Sequence, residues 1–100
     1  MDIDDLILGP RTATATTVNS GVASVEILAA NDRRRGATIT NTDANALYLL
    51  LGTGTASATN YTQALLTGEV FVLEQGDYRG AIQGIWAADG AGQAVVSELT

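Results

Sequence analysis

One hundred residues, 46% hydrophobic and only 16% charged, suffice for a single packed domain and are too apolar for a chain held open by its charges. Five arginines against eleven acids leave a net charge of -6, which argues against nonspecific attraction to nucleic acid or to an anionic membrane and points to proteins as partners. The chain has no Cys, His or Lys, so zinc-finger sites, disulfides, Schiff bases and nucleophiles paired with His are excluded, and no enzymatic activity, cofactor or metal is expected.

Residues 1–11 read as an extended arm. Asp2, Asp4 and Asp5 solvate it, Ile3, Leu6, Ile7 and Leu8 argue that it lies against something, and Gly9-Pro10 ends it. This acidic start lacks the basic residues and apolar stretch of a secretion signal. The longest strongly apolar run, Ala46 to Leu51, is too short to span a bilayer, so a soluble protein made in the cytosol is expected, with no membrane partner.

From Thr12 onward, Thr, Val, Ile and Ala recur with turn signals every eight to twelve residues, the pattern of an all-β sandwich or barrel over residues 12–100. The first strand is expected over Thr12 to Val18. The second spans Val22 to Ala29, with Val25, Ile27 and Ala29 facing in and Ser24, Glu26 and Leu28 facing out. Arg33, Arg34 and Arg35 form the one dense charge cluster. It reads first as a solvated turn and second as a dock for an acidic protein surface. Ala37 to Thr40 alternates as a third strand. Ala46 to Leu51 and Val70 to Leu73 are apolar at both parities, which implies that their outer faces are covered by the arm or by another subunit. Tyr48, Leu50, Phe71 and Leu73 are the residues assigned to that subunit interface. Gly52 to Asn60 reads as a flexible surface loop, Tyr61 to Leu66 as a short strand, and Gln75-Gly76-Asp77 as a turn. Ala81 to Ala87 and Gln93 to Leu99 complete about eight strands, the last two joined by an Asp89-Gly90-Ala91-Gly92 hairpin turn.

Other motifs weaken on inspection. Gly52-Thr53-Gly54-Thr55 lacks the third glycine, the helix and the later acid of a dinucleotide site. The N-terminal aspartates do not have calcium-loop spacing. Glu69, Glu74, Asp77 and Asp89 are not paired by sequence into a glycosidase dyad. Trp86 with Tyr48, Tyr61 and Tyr78 could form a sugar-stacking platform, although Ile82 and Ile85 beside Trp86 favour packing.

The stretches Val25-Glu26-Ile27-Leu28-Ala29-Ala30-Asn31, Arg34-Arg35-Gly36-Ala37-Thr38-Ile39-Thr40-Asn41-Thr42 and Ala46-Leu47-Tyr48-Leu49 resemble small accessory virion proteins of tailed bacteriophages. Leu66-Thr67-Gly68-Glu69-Val70, Gly80-Ala81-Ile82 and Gly84-Ile85-Trp86-Ala87 extend the likeness to residues 22–99. The resemblance implies a small antiparallel β-sandwich, jelly-roll-like, carried on the outside of a phage head after synthesis in the host bacterial cytoplasm. Its partner would be the major capsid protein, its function to decorate and cement the shell, and its assembly a homo-oligomer with a trimer favoured. Ile3, Leu6, Ile7 and Leu8 of the arm, with Arg33, Arg34 and Arg35, would dock on the capsid. The alternative is a carbohydrate-binding or host-adhesion module of a virion fibre.

Overall fold

Runs of β-branched and aromatic residues cut by Gly, Asn and Asp offer no helical stripe, so their backbones must find partners in neighbouring strands. The structure is a computed structural model that describes residues 12–74 and 77–100. It contains β1 (Ala13–Asn19), β2 (Val25–Leu28), β3 (Gly36–Asn41), β4 (Leu47–Leu51), β5 (Gln63–Leu65), β6 (Val70–Leu73), β7 (Ile82–Trp86) and β8 (Gln93–Leu99). The arm of residues 1–11, with Ile3, Leu6, Ile7 and Leu8, lies outside the described residues, as do Gln75 and Gly76 of the expected turn.

All pairings are antiparallel. The chain runs as one long hairpin in which β1 pairs with β8, β2 with β7, β3 with β6 and β4 with β5. That hairpin is rolled so that β8 also meets β3, and β7 meets β4. The outcome is two four-stranded sheets, β1-β8-β3-β6 and β2-β7-β4-β5, which is the jelly-roll form of the β-sandwich. Between them lies a core built from Ile39, Leu47, Leu49, Ile82, Trp86 and Val96 together with smaller neighbours.

Strand positions follow the sequence reading closely, but two facings differ. In β2 the register against β7 shifts between Glu26 and Leu28, so Ile27 and Leu28 both enter the core while Val25 and Ala29 stay exposed. A bulge of this kind breaks strict alternation. In β6, Phe71 faces Ile39 and Leu73 faces Ala37 across the ladder to β3, and both belong to the core side. Phe71 and Leu73 are therefore not the outward residues expected at a subunit interface. Val70 and Val72 are, at 49% and 55% exposure.

Two connections also differ. Asp89 to Gly92 does not close a hairpin, because β7 and β8 belong to opposite sheets and the segment crosses between them. The loop after β4 is pinned rather than free. Ala56 is buried, its N–H donates to Ser24 Oγ at 3.0 Å, and Ser57 and Asn60 bridge each other.

Candidate interaction surfaces

The arginine cluster divides. The Asn31 side chain accepts from the Arg33 N–H at 3.0 Å and the Asn31 carbonyl from the Arg34 N–H at 3.1 Å, a tight turn that leaves Arg33 outside. Arg34 goes inside, with 1% of its surface exposed. Its Nε donates to Glu98 Oε2 at 2.7 Å, one terminal nitrogen to the carbonyls of Tyr78 and Gly80 at 3.2 and 3.0 Å, and the other to the carbonyl of Ala29. Glu98 also accepts from Asn31 Nδ2 at 3.4 Å. A planar fork with five donors suits this job, since it satisfies loop carbonyls that would otherwise be buried without partners. Arg35 is 2% exposed, and its N–H donates to the Leu99 carbonyl at 2.7 Å. Arg34 and Arg35 are thus structural residues and not the exposed dock expected from sequence; of the three, Arg33 alone is available to a partner. One signal could have disclosed this. Glu98 shares the inward parity of Ala94 and Val96, and an acid on that side of a strand demands an internal cation.

At the far end of β3 sits a polar knot that the sequence reading did not assign. Asn41, fully buried, donates from Nδ2 to the carbonyls of Asn45 and Leu65, both at 2.9 Å. Its Oδ1 accepts from Trp86 Nε1 at 3.1 Å and from the Asp43 N–H at 3.0 Å. Asp43, also buried, accepts from the Asn45 N–H and the Gly92 N–H, each at 2.8 Å, and from Asn45 Nδ2 at 2.9 Å. The N–H of Asn45, then that of Gly92, hold the carboxyl below its ordinary value. A Cβ on Gly92 would lie 2.3 Å from Asp43 Cα, so only glycine lets the crossing segment approach this closely.

These contacts also decide the fate of the aromatic platform. Trp86 is 2% exposed and bonded to Asn41, so it is core and cannot stack on a sugar. Tyr78 is half-buried and donates its hydroxyl to the Ala81 carbonyl at 2.8 Å. Tyr48 and Tyr61 remain at the surface as a tilted pair with ring centroids 4.9 Å apart.

What is left for partners is the pair of outer sheet faces. Register places Tyr48 against Ile85 and Ala64, and Leu50 against Gln83, on the outside of the β2-β7-β4-β5 sheet. Tyr48 and Leu50, two of the four expected interface residues, are half-buried there. On the other sheet, Val72 lies beside Thr38, whose other neighbour is Ser97, and Val70 beside Thr40, whose other neighbour is Val95. Where β8, β3 and β6 end together, a cleft of about 420 Å³ opens among Gly36, Val72, Leu73, Glu74, Ser97 and Leu99. Glu26 and Glu98 are the only charged residues in the eight strands, and Glu98 is neutralised by Arg34. Both broad faces are consequently almost free of charge, and the exposed acids sit in loops or on β2. Among the described residues no three His, Cys, Asp or Glu side chains gather to hold a metal ion. No protein family matches the chain, and neither a curated protein nor a solved structure does so.

Proposed function

We propose that this chain is a decoration protein of a phage head, attached to the outer surface of the shell and cementing it through protein–protein contacts. The observation that carries this reading is the nearly charge-free outer face of each sheet on a molecule of net charge -6. A soluble surface normally mixes charges of both signs, with roughly 25–35% of surface residues charged, and uncharged apolar patches mark contact with other proteins. The motif resemblance to accessory virion proteins points the same way. Cementing needs no chemistry: a domain that binds the assembled shell and not its parts stabilises the shell by mass action.

Counting the chain by quantitative mass spectrometry in purified virions tests the reading. Hundreds of copies per particle are expected; a few copies near the tail would favour adhesion instead, and absence from the particle would reject both. Removing residues 1–11 should lower head occupancy if the arm anchors the sandwich, and normal occupancy would eliminate that role. The arginine contribution is testable only through Arg33→Ala, because changing Arg34 or Arg35 disturbs the interior.

A further inference from the structure

β1 is a seven-residue strand at the edge of its sheet, and β8 is its sole ladder partner among the described residues. Its side chains are Ala, Thr, Val and Asn, and six of the seven residues are exposed. Edge strands of soluble proteins are normally defended by Lys, Pro, a bulge or shortness. β1 has none of these, and its pairing with β8 runs without interruption from Ala13 to Asn19.

The direction of its free backbone groups follows from the ladder. Thr12 and Thr100 exchange both main-chain hydrogen bonds, and Ser20 donates to Gly92. Antiparallel pairs alternate between bonded and non-bonded, so Thr14, Thr16 and Val18 point their N–H and C=O groups at β8. Ala13, Ala15, Thr17 and Asn19 point theirs away, toward the open edge.

We propose that this edge pairs with β1 of a second copy of the chain, antiparallel and centred on Thr16, fusing two β1-β8-β3-β6 sheets into one continuous sheet. The register closes on itself. With Thr16 opposite Thr16, Ala13 of one copy faces Asn19 of the other and Ala15 faces Thr17, so every outward-pointing residue meets another. About eight intermolecular main-chain hydrogen bonds result. The cross-strand neighbours are Thr with Thr, Thr with Val, Ala with Thr and, at each end, Ala with Asn, uncharged pairs that place no like charges together. A two-fold seam of this kind is isologous, as the commonest closed assemblies are. It replaces the three-fold association implied by the motif resemblance, and it does not depend on attachment to a capsid.

Light scattering coupled to size-exclusion chromatography on the full chain, across a dilution series, tests the idea. At the upper concentrations the mass should be twice 10.3 kDa, and hydrogen exchange should show Ala13, Ala15, Thr17 and Asn19 amides protected. Thr17→Pro deletes an outward donor while sparing the bonds to β8, and should yield a folded monomer with those amides exchanging fast. Should proline unfold the strand, Thr16→Lys and Thr16→Glu decide the matter: each alone should be monomeric, and an equimolar mixture at low salt should restore the dimer. A monomer or a trimer at every concentration, a dimer that survives both charged variants, or a mixture that stays monomeric would overturn the proposal.

Discussion

Arg34 just before β3 and Asn41 at its end show how a few polar side chains hold a sandwich whose chain has no cysteine to form a disulfide. Removing the Arg34 guanidinium strands Glu98 and the carbonyls of Ala29, Tyr78 and Gly80. Breaking a buried charged pair costs about 3–5 kcal/mol, a large part of the roughly 5–15 kcal/mol that stabilises a domain. Arg34→Ala should therefore fall near that loss in urea unfolding followed by Trp86 fluorescence, whereas Arg33→Ala should stay within about 0.5 kcal/mol of the wild type. Equal effects at both positions would contradict the assigned burial. Asp43 gives a different signature. Its carboxyl is held below the ordinary value of 3.8, so it stabilises the fold fully above that pH, and the contribution is lost as pH falls from there through the lowered value. Urea midpoints at about pH 5 and about pH 2.5 should differ less in Asp43→Asn than in the wild type, because the variant has no proton to take up at that site. Unchanged acid sensitivity would remove Asp43 from the account.

The strands themselves were legible because alternation is a local signal. Gln93 to Leu99 and Val70 to Leu73 occupy the expected bounds, and the others differ by one to three residues at an end. Facing was less legible where it depends on a partner. Phe71 and Leu73 could lie on either side of a strand that is apolar throughout, and only pairing with Ile39 and Ala37 turns them inward. Leu28 is buried by a bulge in β2 that is visible only in its register against β7. The buried role of Arg34 depends on carbonyls 44 and 46 residues away, which no local reading of three consecutive arginines can reach. Gly84 displays the same dependence between elements. It faces the core from β7, and a Cβ there would lie 2.6 Å from Ile27 Cγ1 on β2 and 3.1 Å from Leu47 Cδ1 on β4. Gly84→Ala should destabilise by about 1–3 kcal/mol through overpacking. In an Ile27→Ala background most of that penalty should vanish, since the obstructing atom is gone, and a double-mutant cycle measures the coupling. Additive losses would place the strain elsewhere.

At the scale of the whole molecule, the distribution of charge separates two ways in which such a sandwich could hold its partners. Arg33 projects as a free cation beside the exposed acid Asp32, and an attachment built on it would weaken as salt screens charges beyond about 8–10 Å. The outer faces carry Tyr48 and Leu50 on one side and Val70 and Val72 on the other, with no charge on the second face to be screened. Attachment through apolar burial is insensitive to sodium chloride and is strengthened by sulfate, which is excluded from protein surfaces. Co-sedimentation of the purified chain with phage heads should therefore persist from low to high sodium chloride and increase in sulfate. Val70→Lys with Val72→Lys should abolish it while shifting the stability of the isolated domain by no more than about 0.5 kcal/mol per site, because both side chains already stand in water. If the double variant still binds and Leu50→Lys does not, the contact belongs to the Tyr48 face. Loss of binding in moderate salt, with both faces intact, would assign attachment to exposed charge and count against the apolar faces as the cementing surface.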